Sequence, residues 1–251
     1  MAKNLIFIFI LGAIFGSFFK CLSDRFINHT KWWVGYSECE YCHHQLSFLD
    51  LIPLFSYLFL KGRCRYCHHK ISFDYFISEL LLAILFVLYV FDKDALDLNI
   101  INQLLFIAIL FGIAICDIKS YEIPNILFVA IALNWLLFKV VFGFKIDKIL
   151  IIILETSIIP IVLIIISFIM SKLLNKNVIG DGDIILYYLC SLYLKGIMNL
   201  FNLFLSCLIA LIYLIISKKK KIPFAPMIAI STYLLMLYGE IILKYYLSLS
   251  I

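Results

Sequence analysis

Apolar residues fall into eight long runs separated by short polar islands and one long polar stretch. The first run covers Leu5–Phe19 behind Lys3 and Asn4; the others lie near Tyr75–Phe91, Leu98–Cys116, Ile126–Phe142, Ile149–Leu174, Ile184–Leu194, Ile197–Ser217 and Phe224–Leu247. Most approach the roughly 20 residues that a helix needs to cross a bilayer. Ile184–Leu194 is short, and Lys195-Gly196 after it marks a kink or a loop. The first run is read as a retained helix: Ala13-Ile14-Phe15-Gly16-Ser17 offers no small-residue cleavage site, and bulky Phe18 and Phe19 follow. The pattern predicts an all-α polytopic membrane protein of about eight transmembrane helices. It divides into a first helix (1–19), a mixed and polar loop subdomain (20–74) and a transmembrane core (75–251).

Composition agrees with that class. The chain is 65% hydrophobic with a mean hydropathy of +1.07, against the roughly 45–50% apolar usage of soluble domains. The net charge of +5 is therefore read as topology. With alternating loops, the side holding 20–74 carries about twice the Lys and Arg of the other, so the positive-inside rule makes it cytoplasmic and puts both termini outside. The run Lys218–Lys221 is a solvated anchor facing anionic lipid, with no nucleic-acid partner needed. Trp32 and Trp33 suit an interfacial anchor.

The polar loop carries a short repeat, Cys39-Glu40-Tyr41-Cys42-His43-His44 and Cys64-Arg65-Tyr66-Cys67-His68-His69. Two C-x-x-C knuckles with 21 residues between Cys42 and Cys64 fit one tetrahedral zinc bound by Cys39, Cys42, Cys64 and Cys67. C-x-x-C-H is also the c-type haem attachment signature; that chemistry needs the loop outside the cell, whereas the charge bias puts it inside. Disulfides fit a reducing compartment least. At roughly 55 residues the subdomain gains from a metal staple. The other cysteines, Cys21, Cys116, Cys190 and Cys207, sit singly in or beside apolar runs as small hydrophobes.

Two polar islands hold acids at the ends of membrane-length runs, where charge is costly and calls for a function. One is Gly180-Asp181-Gly182-Asp183, whose glycines let the chain turn sharply and let a peptide backbone come close. The other runs from Asp117 to Asn125, with Pro124 suited to the start of a helix. Under the alternating topology Asp117 and Asp183 share one depth at the cytoplasmic edge. Two carboxylates held close cannot both ionise cheaply, so they share a proton; one acid then activates water while the other protonates the scissile carbonyl. The plainer alternative is a helix-to-helix turn with Asp183 as N-cap and the acids paired with Lys119 and Lys176.

These motifs, in this order, resemble the type IV prepilin peptidases, membrane aspartic proteases with a G-x-G-D signature. Gly16-Ser17-Phe18 with Arg25, the knuckles behind Leu60-Lys61-Gly62-Arg63, Asp117 with Ile123-Pro124-Asn125, Gly180-Asp181-Gly182-Asp183 and Pro223-Phe224-Ala225-Pro226 each look like a family motif. The resemblance implies Asp117 and Asp183 as the catalytic pair, with Gly180, Asp181, Gly182, Pro124 and Asn125 around them. It implies structural zinc in the cysteine loop, prepilins or pseudopilins as substrates, and cleavage after a glycine at the cytoplasmic face of the bacterial inner membrane. Many members also methylate the new amino terminus, which makes S-adenosylmethionine a second candidate cofactor. Lys20 stands where the family usually has Asn, no Pro follows Arg25-Phe26, and Ala225 replaces Gly.

The rival from another class is a proton-coupled transporter, which would spread its acids through the bilayer midplane. Glu79 resembles an acid in the family's Y-x-x-x-E-L-L region, with a structural ion pair to a cytoplasmic Lys or Arg as the alternative. Glu155, inside an apolar run, is expected to pair across helices or to sit near the outer interface.

Overall fold

The computed structural model describes residues 4–30, 35–93, 95–175, 179–194, 196–218 and 221–249, the side chains of 240 and 245–249 excepted. Trp32 and Trp33, Lys176, Lys195, and Lys219 and Lys220 of the lysine run lie outside the described residues. Nine α-helices appear among those described: α1 (Leu5–Ile27), α2 (Phe55–Phe59), α3 (Phe73–Phe91), α4 (Leu98–Ser120), α5 (Asn125–Val141), α6 (Ile146–Leu174), α7 (Asp181–Ser191), α8 (Met198–Ser217) and α9 (Ala225–Leu249). A 3-10 turn covers Phe48–Leu51, and the only β pairing among the described residues is two isolated bridges, Glu38–Gln45 and Arg63–Lys70.

Every predicted apolar run has become a helix. Five of them, α1, α3, α4, α6 and α8, are long and apolar enough to cross a membrane; α5 and the Ala225–Gly239 part of α9 are apolar but shorter. The expectation of a full crossing by the Ile184–Leu194 run needs correcting. Helix α7 has 11 residues, about 16 Å at 1.5 Å per residue, roughly half the hydrocarbon thickness. Two helices outrun their apolar stretches. Helix α1 continues through Lys20 to Ile27, and α4 through Asp117 to Ser120.

The chain divides into two compact units, Met1–Cys116 and Asp117–Ile251. In the first, α1 and α3 pack with almost no space between their backbones. A Cβ at Gly12 would stand 2.7 Å from Ala83 Cα, and one at Gly16 would stand 2.6 Å from Ser78 O. Small residues of this kind allow close helix approach in lipid, where apolar burial gives helices no reason to associate. Helix α1 is capped by Asn4, whose side chain accepts from Phe7 N–H at 3.2 Å. Its C-terminal end holds the loop: Arg25 donates to Tyr36 O at 3.1 Å. Lys20, 2% exposed, pairs with Asp24 and lies 3.9 Å over the Tyr75 ring, and Tyr75 donates to Glu40 of the first knuckle at 3.2 Å.

The second unit is tied by polar bonds between helices. Asn202 on α8 accepts from Ser231 Oγ at 2.5 Å and donates to Thr232 Oγ1 at 3.2 Å, both on α9 and all three fully buried. Trp135 of α5 donates its indole N–H to Leu192 O at 2.9 Å, and Asn134 donates to the Tyr193 hydroxyl at 2.9 Å. Tyr187 of α7 donates to Asn199 O of α8.

Candidate functional site

The sequence places four sulfurs in two knuckles, and the fold brings them into one cluster. The Sγ atoms of Cys39, Cys42, Cys64 and Cys67 all lie within 4.8 Å of one another, with Cys39 and Cys67 3.8 Å apart. A tetrahedral zinc with Zn–S bonds of about 2.3 Å sets its sulfurs about 3.8 Å apart, so the donor set fits that ion. The repeat in sequence is a repeat in structure. Cys39 N–H donates to His44 O at 3.0 Å and Cys64 N–H to His69 O at 2.9 Å. His43 and His68 both take positive φ, 54° and 57°. Tyr41 stacks on His69 with ring centroids 4.1 Å apart, and Tyr66 contacts His44 at 3.6 Å, each tyrosine reaching the other knuckle's histidine. His44 and His69 are thereby occupied as ring partners.

Local electrostatics in the loop are those of a crowded thiol site. Burial raises the Cys64 thiol, but the Cys67 and Tyr66 N–H groups outweigh it and bring it to about 7. For Cys67 the His69 N–H acts downward, and desolvation with the three neighbouring sulfurs pushes it up to about 12. Asp50 braces the second knuckle, accepting from Arg65 Nε at 2.6 Å, Ser47 Oγ at 2.7 Å and the Tyr66 hydroxyl at 3.2 Å. Burial raises that carboxyl, and the Ser47 and Arg65 donors outweigh it and hold it below the usual carboxylate range.

The two islands of acids share one electrostatic environment within the second unit. Asp117, in the last turn of α4, is 6% exposed and accepts from Ala225 N–H, the first residue of α9, at 2.9 Å. Phe224 N–H and the Lys221 ammonium also act on it. Free N–H groups at a helix N-terminus, with the helix dipole behind them, favour an anion there. Asp183 sits in the first turn of α7, where the charge of Asp117 acts on it. The N-cap of α7 is Gly180, with Asp183 three residues in, so the capping alternative for Asp183 is not what forms.

The neighbouring residues divide by role. Pro124 is buried at the N-cap of α5 and Asn125 is the exposed first residue of that helix. Asp181 points outward and is exposed. A Cβ at Gly182 would meet only ordinary contacts, 3.7 Å from Ile123 Cδ1 and 3.8 Å from Phe128 Cζ. The chain's own packing does not demand glycine at 182. At Gly180 the tightest neighbour of such a Cβ is Asp183 Oδ2 itself, at 3.1 Å.

A family profile described as the bacterial peptidase A24 N-terminal domain matches residues 10–92, and one described as the type IV leader peptidase family matches residues 104–215. Among curated relatives, the prepilin leader peptidase/N-methyltransferase of Aeromonas salmonicida (strain A449) is 30% identical over 84% of this chain and 74% of its own length. The chain belongs to the type IV leader peptidase family. The Bacillus subtilis (strain 168) relative of the same name is 29% identical over 97% of this chain and 98% of its own. The Dichelobacter nodosus one is 29% identical over 81% and 71%. No solved structure matches the chain.

Within this member of the family, three contacts escaped the sequence reading. The Pro223-Phe224-Ala225-Pro226 motif carries no acid or nucleophile, yet its backbone N–H groups face Asp117. The signal available was a Pro-flanked helix start after a polar run. Lys20, a departure from the family's Asn, is buried in the Asp24 and Tyr75 contacts described above. Glu79 is 7% exposed and accepts from Leu54 N–H at 2.7 Å and from the Ser17 side chain, partners other than the Lys or Arg of the alternative reading. Glu155 is exposed on α6, and nothing in the structure explains it.

Proposed function

We propose that this chain is a membrane aspartic endopeptidase that removes the leader peptide of type IV prepilins or pseudopilins, cleaving after glycine at the cytoplasmic face of the inner membrane. The observation that carries the reading is the electrostatic coupling of Asp117 and Asp183, far apart in sequence, with backbone N–H donors on Asp117 and none on Asp183 among the described residues. A carboxylate that accepts backbone N–H bonds is the better anion of a close pair. Asp117 is therefore the base and Asp183 carries the shared proton. A water between them gives a proton to Asp117 as its oxygen attacks the scissile carbonyl, while Asp183 protonates the carbonyl oxygen. Collapse of the gem-diol intermediate breaks the C–N bond; the proton on Asp117 passes to the leaving amine and a hydroxyl proton returns to Asp183 as the new carboxyl group forms. Gly180 and Gly182 leave the backbone of this turn bare for the substrate strand.

The lysine and arginine bias supports a cytoplasmic position for the cysteine loop and the acids. Cys39, Cys42, Cys64 and Cys67 hold a zinc whose part is to close the loop, since four thiolates leave no open coordination position for substrate. Methylation of the new amino terminus with S-adenosylmethionine comes to this chain through its relatives' names. The test is cleavage of a prepilin with Gly at the cleavage point, by purified protein supplied with labelled S-adenosylmethionine. Asp117→Asn and Asp183→Asn should each lower the cleavage rate by about 10²–10⁴-fold. Either variant cleaving near the parent rate would sink the pair, and label missing from the cleaved pilin would remove the methyl transfer alone.

A further inference from the structure

Between the two knuckles lies a stretch that the polar loop conceals, Phe48-Leu49-Asp50-Leu51-Ile52-Pro53-Leu54-Phe55-Ser56-Tyr57-Leu58-Phe59-Leu60. It folds as the 3-10 turn, a sharp bend and α2. An apolar stretch of about 10–14 residues is too short to cross a bilayer and is typical of an interfacial or re-entrant segment.

The bend is held where a membrane would be. Leu54 is buried in one cluster with Ala13 of α1 and Ala83 of α3. Ala83 is the eleventh residue of α3, about 15 Å along the helix from its start. The bend itself is strained: Leu54 takes φ 63° and ψ −50°, and Phe55 N–H donates across it to Pro53 O at 2.7 Å. A tight γ-turn at positive φ on a leucine persists only when its surroundings impose it. Here the imposing group is Glu79, which takes the Leu54 N–H. On the same side Tyr57 packs on Phe73 and Phe76 of α3, at 6.1 and 5.4 Å between ring centroids.

The opposite side is bare hydrocarbon. Phe48 is 82% exposed and Phe59 83%, with Leu49, Phe55 and Leu58 also exposed. Just past α2 lies a cavity of about 450 Å³ lined by Leu60, Lys61, Arg63, Cys64, Arg65 and His68, with Arg65 paired to Asp50. Apolar side chains outward, cations at the foot and a scaffold of two membrane-crossing helices together describe an element lying in lipid, with its basic end at the headgroups.

We propose that Phe48–Leu60 is a membrane-embedded elbow, pinned by Glu79 and closed off by the two knuckles, that inserts its Phe48, Phe55, Leu58 and Phe59 face into the leaflet adjoining the cysteine loop. It rests on α1 and α3 as membrane-crossing helices and is independent of the cleavage chemistry. The zinc knuckles then clamp the two ends of a re-entrant segment.

The test uses the full chain, zinc-loaded, in phosphatidylcholine and phosphatidylglycerol vesicles with part of the phosphatidylcholine brominated on its acyl chains. Phe59→Trp and, as a second site, Phe48→Trp are read as the emission added over the parent protein, and prepilin cleavage confirms that each variant is folded. Brominated lipid should quench the added emission about twofold or more, as expected for a residue at the acyl boundary, with aqueous iodide leaving it unchanged. Quenching by iodide without quenching by brominated lipid would overturn the proposal. So would an added emission insensitive to lipid that shifts only when prepilin is supplied, which would make the face a protein-docking surface.

Discussion

The two units hold their chemistry in place by different means. In Met1–Cys116 the helices touch through glycine, Gly12 and Gly16 of α1 lying on the backbone of α3, and the loop is gathered on four sulfurs. In Asp117–Ile251 the bonds between helices come from side chains: Asn202 with Ser231 and Thr232, Asn134 with Tyr193, and Trp135 with the Leu192 carbonyl. The difference follows from what each unit must support. A metal cluster supplies its own geometry once its ligands are near, so its helices rely mainly on close contact, with Tyr89 donating to Gln103 as a polar bond between α3 and α4. An acid pair has no such template. Its carboxylates come from α4 and α7 and its donors from α9, so those helices must be fixed in register, and directional hydrogen bonds fix register where apolar burial in lipid cannot.

Removing the metal breaks the comparison most severely. Cys42→Ser or Cys67→Ser should take zinc from one per chain to none and expose 37–70 to proteolysis, because structural zinc contributes on the order of 10 kcal/mol to the folding of such small modules. Metal analysis and limited digestion read the result. Iron in the parent protein, or a protected loop without metal, would count against the four-sulfur site.

Two glycine replacements sharpen it. At Gly16 a Cβ would stand 2.6 Å from Ser78 O and 2.8 Å from Glu79 Cα, both backbone atoms that cannot swing aside. Gly16→Ala should therefore cost about 1–3 kcal/mol in detergent unfolding, outweighing the roughly 1 kcal/mol that alanine offers a helix. Gly182→Ala meets contacts of 3.7 Å and longer. Its stability should stay within about 0.5 kcal/mol of the parent while prepilin cleavage slows, because the added methyl stands next to Asp183 in the chain. Equal loss of stability in both variants would erase the distinction.

The smallest effect belongs to the polar glue. Asn202→Leu removes the bonds to Ser231 and Thr232; interhelical hydrogen bonds in membranes average about 0.6 kcal/mol and reach about 1.7. Unfolding should shift by about that much, with a loss of cleavage larger than the stability change if register is what the network protects. A cleavage rate unchanged at the parent level would show that the acids are positioned by other contacts.

Much of this was legible in the residues. Each helix of 11 or more residues falls on an apolar run, because burial in lipid is a property of a contiguous stretch. The cysteine cluster was legible for a similar reason: a C-x-x-C knuckle is local, and its repeat, C-x-Y-C-H-H, announces its own partner. The chemistry of Asp117 and Asp183 could be matched to a family because each acid stands in a short motif. Less legible was the stretch 48–60. Charged and turn-forming residues on both sides average it into a polar loop, and only the contacts of Leu54 with Ala13, Ala83 and Glu79 set it among membrane helices.

By itself, then, the order of residues determined the membrane class, the helical runs, the sulfur site and the two acids worth testing, since all of these are written within short windows of chain. Tertiary structure decided what those windows meet. It set Asp117 against the N-terminus of α9 with its charge acting on Asp183, gave Lys20 to Asp24 and Tyr75, made Gly180 the cap of α7, and shortened that helix to half a crossing. The physical reason is the same in each case. Partners separated by tens of residues are chosen by packing and hydrogen bonds between helices, and no window of sequence contains both of them.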